Sequence, residues 1–542
     1  MIDTDTITGT VTLRTDGRLV ITGTPYRPDV MTLMHALPHS RWNRAKQHWT
    51  CVATPYAARQ LEIVGLNLDS DAWQLSSTWE TELADYDRLN IVTRLKPWDH
   101  QRAAIEHCWN RYAPMLAMDM GTGKTKSTLD LIGNKQCQRV LIVCPKSVQD
   151  VWPEQIEIHG PDNMRAFILP GNSTRTKLNA MMDAFIDADR AHCPLTIIVN
   201  YESVWRGALG NTILGLQRWD AIVLDESHRI KSPTGKASVF FDKLRPRAAL
   251  RICLTGTPMP HSPLDLFGQF RFLEPAIFGT SFGRFRDRYA DTHPTFPSKV
   301  LRWKNQDELQ QKFNLLAFRV KADDVLDLPP VHEIDMPVSM TGEQKRVYDE
   351  LESDMIAGIH DGTVTASNAL VRVLRLQQVT SGHVADNDGT VHSLPNPKRD
   401  ALADMLTDMD AGEPVVVFCR FRHDLAAIAD AANAAGRNVR ELSGKVNELD
   451  AWKRDGSGSV LACQIKSGGI GVDLTRSAAC VFYSVTSLGD YLQACARVHR
   501  PGQTRTTRIW HLVCRNSVDR ILYRAFRERL DVVESVMAAW GA

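Results

Sequence analysis

The segment Met120-Gly121-Thr122-Gly123-Lys124-Thr125, answered about a hundred residues later by Asp225-Glu226-Ser227-His228, constrains the fold of this chain more than any other feature. Glycines at 121 and 123 let backbone N–H groups approach phosphate oxygens without interference from a Cβ atom. Lys124 can reach the β and γ oxygens of a nucleoside triphosphate, and the Thr125 hydroxyl can ligate Mg²⁺. The strict pattern has glycine where this chain has Met118, so the loop taken alone is only moderately specific.

A second, acidic element has to complete a metal site of this kind. Asp225 ends the apolar run Ala221-Ile222-Val223-Leu224, which reads as a buried parallel strand. Its carboxylate is therefore expected at the carboxyl edge of the sheet, where open α/β sheets bind ligands. Glu226 is then placed to orient an attacking water. Arg139 through Pro145, Leu195 through Val199 and Leu250 through Leu254 are further short, largely apolar runs between helical stretches. That cadence predicts a parallel α/β sheet. Leu254-Thr255-Gly256-Thr257-Pro258 closes the last of these runs.

Near the C-terminus stands Gln493-Ala494-Cys495-Ala496-Arg497-Val498-His499-Arg500-Pro501-Gly502-Gln503. If Gln493 to Arg500 is helical, Gln493, Arg497 and Arg500 share one face, which aims two guanidinium groups the same way. Paired arginines suit the charge that develops on a transferring phosphate.

With these segments in place the chain resembles the Swi/Snf-type ATPases of helicase superfamily two, DNA translocases with two RecA-like lobes. The resemblance spreads over most of residues 95 to 525. Leu95-Lys96-Pro97-Trp98-Asp99-His100-Gln101 resembles the adenine-reading glutamine segment, with two more residues before Gln101 than the commonest form. Val143 to Ser147 with Trp152 resembles the first nucleic-acid motif, Asn200-Tyr201-Glu202 the tyrosine-glutamate step, and Asp225 to Ser232 the acidic box with its basic tail. In the second lobe Val415 to Cys419 resembles the opening strand. Lys466-Ser467-Gly468-Gly469-Ile470-Gly471-Val472-Asp473-Leu474-Thr475 resembles the glycine-rich motif facing ATP and nucleic acid, and His499 to Gln503 with Ser517-Val518-Asp519 the arginine motif and its downstream helix.

The resemblance implies an α/β fold of two RecA-like parallel-sheet lobes, a P-loop NTPase with helical insertions and a small α+β N-terminal module. The expected divisions are a module over 1–68, a linker over 69–92, a first lobe over 93–330 and a second over 331–542. It implies a nucleotide site of Gln101, Met120 to Thr125, Gly471, Asp473 and Gln493, with ATP and Mg²⁺ as ligands and Thr125 and Asp225 on the metal. Lys124, Asp225, Glu226, Arg497 and Arg500 would be catalytic. His228, Thr255, Thr257 and Gly469 would couple nucleotide to DNA, and Lys146, Lys231, Arg420 and Lys466 would line the nucleic-acid cleft.

Ahead of the motor, the first 90 residues or so read as strand, helix and strand, with Thr10 to Leu13, Leu19 to Ile21, a helix near Asp29 to Leu37, and Arg41 to Val52. The last segment interleaves bases with Trp42 and Trp49, which suits either base stacking or the core of a β-hairpin. The layout resembles the HARP module of annealing helicases, and Ser227 in the acidic box agrees with that subgroup. Asp69 through Asp87 is acidic and reads as a helix or linker. Met340 to Gln378 has helical spacing, a loop is expected at Asp386 to Pro397, and Leu328-Pro329-Pro330 resembles a hinge boundary.

Composition sets outer limits. The 542 residues leave room for two lobes and a module, and 43% hydrophobic content supports sizeable cores. A net charge of +1 gives the whole molecule no electrostatic footprint on nucleic acid, so lysines and arginines would have to be concentrated in a cleft. The 11 cysteines are scattered singly, which argues against a zinc module or a disulfide framework and favours a reducing cytosol; the prokaryotic or viral cytoplasm is expected rather than the nucleus, because no histone-reading appendage is evident. No run of 18 apolar residues suggests membrane insertion. About forty residues follow the arginine motif without an evident histone-reading appendage, which disfavours chromatin remodelling.

The expected function is ATP-driven movement on duplex or branched DNA in replication, recombination or repair, with proteins of those processes as partners. Two alternatives stand beside it. One is a strand-separating helicase or restriction-type motor, and the other a nucleotide-gated DNA clamp without turnover.

Overall fold

The computed structural model describes residues 9–24, 28–171, 173–216, 218–260, 262–293, 300–360, 366–385, 390–465 and 472–528, with Ser535 and Ala539. The chain divides into two compact units, Met1–Val325 and Leu326–Ala542.

The first unit opens with strands β1 (Thr10–Leu13), β2 (Arg18–Thr22), β3 (Arg41–Asn43), β4 (His48–Val52) and β5 (Asn67–Leu68). They form a sheet in the order β3-β4-β2-β1-β5, antiparallel except for the β1–β5 pair. β2 and β4 bury alternate residues, Leu19 and Ile21 on one and Trp49 and Cys51 on the other, as expected of a sheet wet on one face. Val30, Met34 and Leu61, from the helices Pro28–Ala36 and Pro55–Ile63, complete that core.

Two expectations are corrected in this region. Trp49 is only 6% exposed and packs edge-on against His35 at 5.1 Å, so its ring is core and cannot stack on a base. Trp42, 43% exposed, keeps an accessible face. The segment from 69 is not a plain linker at its start, because Asp69 caps the helix Ser70–Ser77 through Ala72 N (2.7 Å) and also accepts from Leu13 N of β1 (3.1 Å). The helix is thereby tied to the module's sheet, with Ala72 in its core.

The main sheet of this unit comprises β6 (Met115–Met118), β7 (Arg139–Cys144), β8 (Arg165–Ile168), β9 (Leu195–Asn200), β10 (Trp219–Asp225) and β11 (Ala248–Leu254). After a hairpin of β12 (Ala290–Thr292) and β13 (Val300–Trp303), β14 (Ala317–Val320) adds an edge. The order is β14-β6-β11-β10-β7-β9-β8, and every pair is parallel. Ala221, Ile222, Val223 and Leu224 are all fully buried, as befits a parallel strand covered on both faces. Asp225 lies opposite Leu254, and Leu254 opposite Leu116, so the loops after β6, β11 and β10 leave the sheet at the same edge.

The second unit contains β15 (Val331–Val338), the hairpin β16 (His383–Ala385) and β17 (Val391–Ser393), β18 (Val415–Cys419), β19 (Val439–Leu442), β20 (Val460–Gln464), β21 (Ala479–Phe482) and β22 (Thr507–Cys514). Its parallel sheet runs β15-β22-β21-β18-β20-β19. Val415 to Cys419 is thus a central strand and not the first one, since β15 precedes it at the sheet edge. The helices Gly342–His360 and Ala366–Thr380 occupy the stretch expected to be helical. The stretch expected as a loop carries β17, while residues 386–389 lie outside the described ones.

The second unit also buries an ion pair. Lys398 Nζ stands 2.7 Å from Asp519 Oδ2, with both side chains 1% exposed. Burial alone would lower the pKa of Lys398, but the neighbouring carboxylate holds it above the ordinary lysine value. Asp519 further accepts from Thr380 Oγ1 and Cys514 N, both at 3.2 Å, so the pair joins a helix, a strand end and the helix Val518–Arg527. Lys398→Met leaves that carboxylate uncompensated and is expected to destabilise the unit by about 3–5 kcal/mol. Urea unfolding followed by circular dichroism measures the loss.

Candidate functional site

The loop after β6 is set by two left-handed glycines, Gly121 at φ +79 and Gly123 at φ +89. Gly123 is the N-cap of the helix Lys124–Asn134 and brings no side-chain cap, so the first-turn N–H groups face the loop's concavity. A helix start of this kind favours anions. Met120 is half-buried beside the glycines, and Thr122 is buried with Oγ1 donating to Asp119 O at 2.7 Å. Lys124 Nζ donates to Met118 O (2.7 Å) and Asp119 O (3.0 Å), which curls the ammonium into the loop. Thr125 follows on the first helical turn, half-buried.

Gln101 lies directly against this loop. It is 3% exposed at the third position of the helix Asp99–Trp109, accepts from Trp98 N at 3.0 Å and donates Nε2–H to Thr122 O at 3.3 Å. A Cβ atom at residue 123 would stand 2.1 Å from Gln101 Nε2. His100 adds a bond to the same Thr122 carbonyl at 2.7 Å, a contact the sequence did not announce.

Asp225 and Glu226 sit at the carboxyl end of β10. Burial pushes the pKa of both above the ordinary carboxylate range; Glu226 raises Asp225 further, while the Lys124 ammonium opposes the shift in each. Burial in turn lowers Lys124, and the two carboxylates and Asp119 offset it. Trp152 Nε1 donates to Asp225 Oδ2 at 3.1 Å, and Tyr201 OH donates to Asp225 O at 2.9 Å. These two aromatic residues hold the acidic end from the β7 and β9 sides. Glu226 is held at φ +54, ψ +52, a left-handed conformation that costs a non-glycine residue about 1–2 kcal/mol. Such strain concentrates at functional sites. Glu226 Oε2 is buried without a hydrogen-bond partner among the described residues. His228 Nδ1 is 3.4 Å from it, and shares its position with Thr255 Oγ1 at 3.3 Å. Thr255 Oγ1 also accepts from Thr257 N at 3.0 Å, so a contiguous path joins the acidic box to the turn after β11.

The donor set fits a hard divalent cation bound with phosphates. It offers a hydroxyl at Thr125, two buried carboxyls whose pKa values burial raises, and a lysine beside them. Asp225 and Thr125 would hold Mg²⁺, which when bound neutralises phosphate charge.

In the second unit the helix Leu488–Val498 carries Gln493, half-buried, and Arg497, 3% exposed. The helix ends at Val498, so Arg500 lies beyond it and does not share a helical face with Gln493 and Arg497. The break follows from His499, which leaves helical geometry at φ −99, ψ 88 just before Pro501. Arg497 is turned into its own unit, 3.9 Å from Cys463 Sγ and 3.4 Å from Ile465 O, and burial lowers its pKa. Asp473 accepts from Thr475 N and Oγ1 at 2.9 and 2.7 Å. Burial would raise its pKa, but those bonds and the charge of Arg500 bring it below the usual value. Lys466, Gly469 and Gly471 lie outside the described residues. Of the nucleic-acid candidates, Lys146 is exposed after β7, Lys231 is 3.9 Å from Asp265 Oδ2, and Arg420 is half-buried after β18. Among the described residues no cluster of metal-ligating side chains was found, and no helix is long and apolar enough to cross a membrane.

The SNF2-related domain model matches residues 100–383, which is more than half of the chain. The chain belongs to the SNF2-related family. Members of this SNF2-related family are DNA-dependent ATP hydrolases of helicase superfamily two. Over 456 residues the chain is 26% identical to the ISWI chromatin-remodeling complex ATPase ISW1 of Saccharomyces cerevisiae, covering 78% of this chain and 38% of that protein. It is 24% identical over 551 residues to the SWI/SNF-related matrix-associated actin-dependent regulator of chromatin subfamily A-like protein 1 homolog of Caenorhabditis elegans, covering 96% and 74%. The chain therefore spans well under half of the yeast relative. Among solved structures it is similar to the Sulfolobus solfataricus SWI2/SNF2 ATPase core in complex with dsDNA, with 22% identity, a TM-score of 0.39, and 82% and 94% of the two chains covered.

Gly123→Ala puts a methyl group into Gln101 at a left-handed position. It is expected to weaken nucleotide binding about 5- to 30-fold, the equivalent of the 1–2 kcal/mol that a left-handed non-glycine residue costs. Titration with a fluorescent ATP analogue reads this directly.

Proposed function

We propose that this protein hydrolyses ATP with Mg²⁺ and uses the cycle to move on duplex or branched DNA. The observation that carries the reading is the buried Asp225–Glu226 pair set against Lys124 and the open helix start at Gly123. Gln101 would read the adenine, Lys124 and the loop N–H groups would hold the phosphates, and Glu226 would take a proton from the attacking water. Glu226 suits that task, because a carboxyl raised by burial is a stronger base than an exposed one. Arg497 and Arg500 would supply positive charge to the γ-phosphate, and Gln493, Gly471 and Asp473 would line the nucleotide on the same unit. Since Arg497 is buried within its own unit, Arg500 is the better candidate for the charge.

Family membership supports DNA as the stimulating partner, and the name of the yeast relative records an ATPase. Within the family we favour strand annealing or fork remodelling in replication, recombination or repair over chromatin work. The support for that choice is the small strand-and-helix module ahead of the motor, whose layout resembles the HARP module of annealing helicases. Trp42 on the exposed face of β3, beside Arg41 and Arg44, would let that module touch a strand.

ATP turnover measured alone and with single-stranded DNA, blunt duplex, forked DNA and RNA tests the reading. Strong stimulation by duplex or forked DNA is expected, reduced at higher salt because phosphate contacts release counterions. Lys124→Ala and Arg500→Ala are expected to lower turnover by at least about 10³-fold while DNA binding stays largely intact. Stimulation by RNA or single strands alone would favour a strand-separating helicase, and no turnover under any condition would favour a clamp.

A further inference from the structure

Besides the His228–Thr255 contact, a second and deeper connection joins the acidic box to the turn after β11. Ser227, fully buried, donates its hydroxyl to Gln269 Oε1 at 2.8 Å. Gln269, also fully buried on the helix Leu266–Leu273, donates Nε2–H to Pro258 O at 2.7 Å and to Asp265 O at 3.0 Å. Both hydrogens and the oxygen of the amide are therefore engaged. Reversing the amide would set its oxygen against two carbonyl oxygens, so the network admits one orientation.

The helix that carries Gln269 rests directly on the acidic box. A Cβ atom at Gly268 would stand 2.0 Å from Ile230 O, so backbone meets backbone where the turn Ser227–Ile230 passes. The nearest side-chain atom at that point, Ser238 Oγ at 3.0 Å, is itself buried and accepts from Arg271 Nη2 at 2.8 Å, which leaves it little room to give. A movement of the box has to be followed by the Gln269 amide or else break buried hydrogen bonds, which are costly to leave unmet. The amide's other end is fastened to Pro258, next to Thr257. Among the described residues, the side-chain hydrogen bonds of Ser227 and Gln269 run to each other and to the carbonyls of Pro258 and Asp265, not to the phosphate loop, so the pair acts through other groups.

We propose that Gln269 is a positioning residue that carries displacements of the acidic box to the Thr257–Pro258 turn, and so sets how strongly DNA stimulates turnover. The proposal rests on the ATP-hydrolysis reading above. Gln269→Met keeps the side-chain length and removes all three bonds. Gln269→Glu keeps an acceptor for Ser227 but turns a second oxygen toward the two carbonyls.

With Gln269→Met, turnover without DNA and the affinity for an ATP analogue are expected to stay within about twofold, while DNA-stimulated turnover falls about tenfold, the scale of one or two buried hydrogen bonds. Ser227→Ala is expected to lower stimulation in the same direction, and the double variant to be no worse than Gln269→Met, because both break one path. Proportional loss with and without DNA, or unchanged stimulation in a folded Gln269→Met protein, would overturn the proposal. Where Gln269→Met fails to fold, Gln269→Glu serves with the same readouts. A second measurement follows amide exchange at Thr257 and Met259 when a non-hydrolysable ATP analogue and Mg²⁺ are added. The unsubstituted protein is expected to show a nucleotide-dependent change there that the Gln269 variant loses, and the absence of that change in the unsubstituted protein, or its persistence in the variant, would also overturn it. Should no DNA stimulate the unsubstituted protein, the DNA reading fails by itself, and the exchange measurement still decides the role of Gln269.

Discussion

Two adjacent carboxyl groups at the covered end of β10 are the constraint around which the first unit is arranged. Both are short of solvent, which raises both pKa values, and the charge of Glu226 raises that of Asp225 further. The surrounding chain supplies partial relief through the Trp152 N–H on Asp225 and the Lys124 ammonium nearby. Tyr201 fastens the strand end through its backbone carbonyl. What remains is an arrangement less stable than an apolar strand end would be, and a bound cation with phosphates would offset that cost. Proteins tolerate such spots where function needs them.

The parallel sheet explains how one such spot can report elsewhere. β11 lies between β6 and β10, so the turn at Thr255 to Pro258 issues between the phosphate loop and the acidic box. The left-handed Glu226 bends the chain sharply enough to return His228 to Thr255 and Ser227 to Gln269. Both contacts are short-range consequences of one strained residue. In the second unit, the buried Lys398–Asp519 pair serves a different end and fastens helices to the end of β22.

The legible parts of the chain were those in which one physical rule dominated. Ala221 to Leu224 within β10 and the whole of β18 are unbroken apolar runs, and both are fully buried. Leu19 to Ile21 and Arg41 to Val52 read as strand segments, and β2 and β4 lie within them with alternate residues buried. β15 escaped notice because its His332, Glu333 and Asp335 are exposed at a sheet edge, where no apolar pattern is needed. From Asp69 onward the acidic composition left helix and linker both open, and what it did not reveal was that Asp69 caps the helix Ser70–Ser77 and ties it to the module's sheet. At the candidate site, the loop glycines and carboxylates could be found because their chemistry demands particular residue types. The supports at His100, Trp152, Tyr201 and Gln269 were not legible, since each acts over a distance that only the folded chain defines. Arg500 was set on a helical face by extrapolating a spacing that His499 and Pro501 interrupt.

The central claim is that the Asp225–Glu226 pair is held partly protonated until Mg²⁺ and nucleotide arrive. Because burial raises both pKa values, binding must release protons, and affinity should rise with pH until the free pair is fully ionised. Calorimetric titration of Mg²⁺ and a non-hydrolysable ATP analogue near neutral pH, in buffers of unlike ionisation enthalpy, counts those protons. Net release that shrinks in alkaline buffer and in Glu226→Gln, where one carboxyl is gone and its neighbour is relieved, is the predicted result. Binding with the same proton count in Glu226→Gln as in the unsubstituted protein would contradict the account.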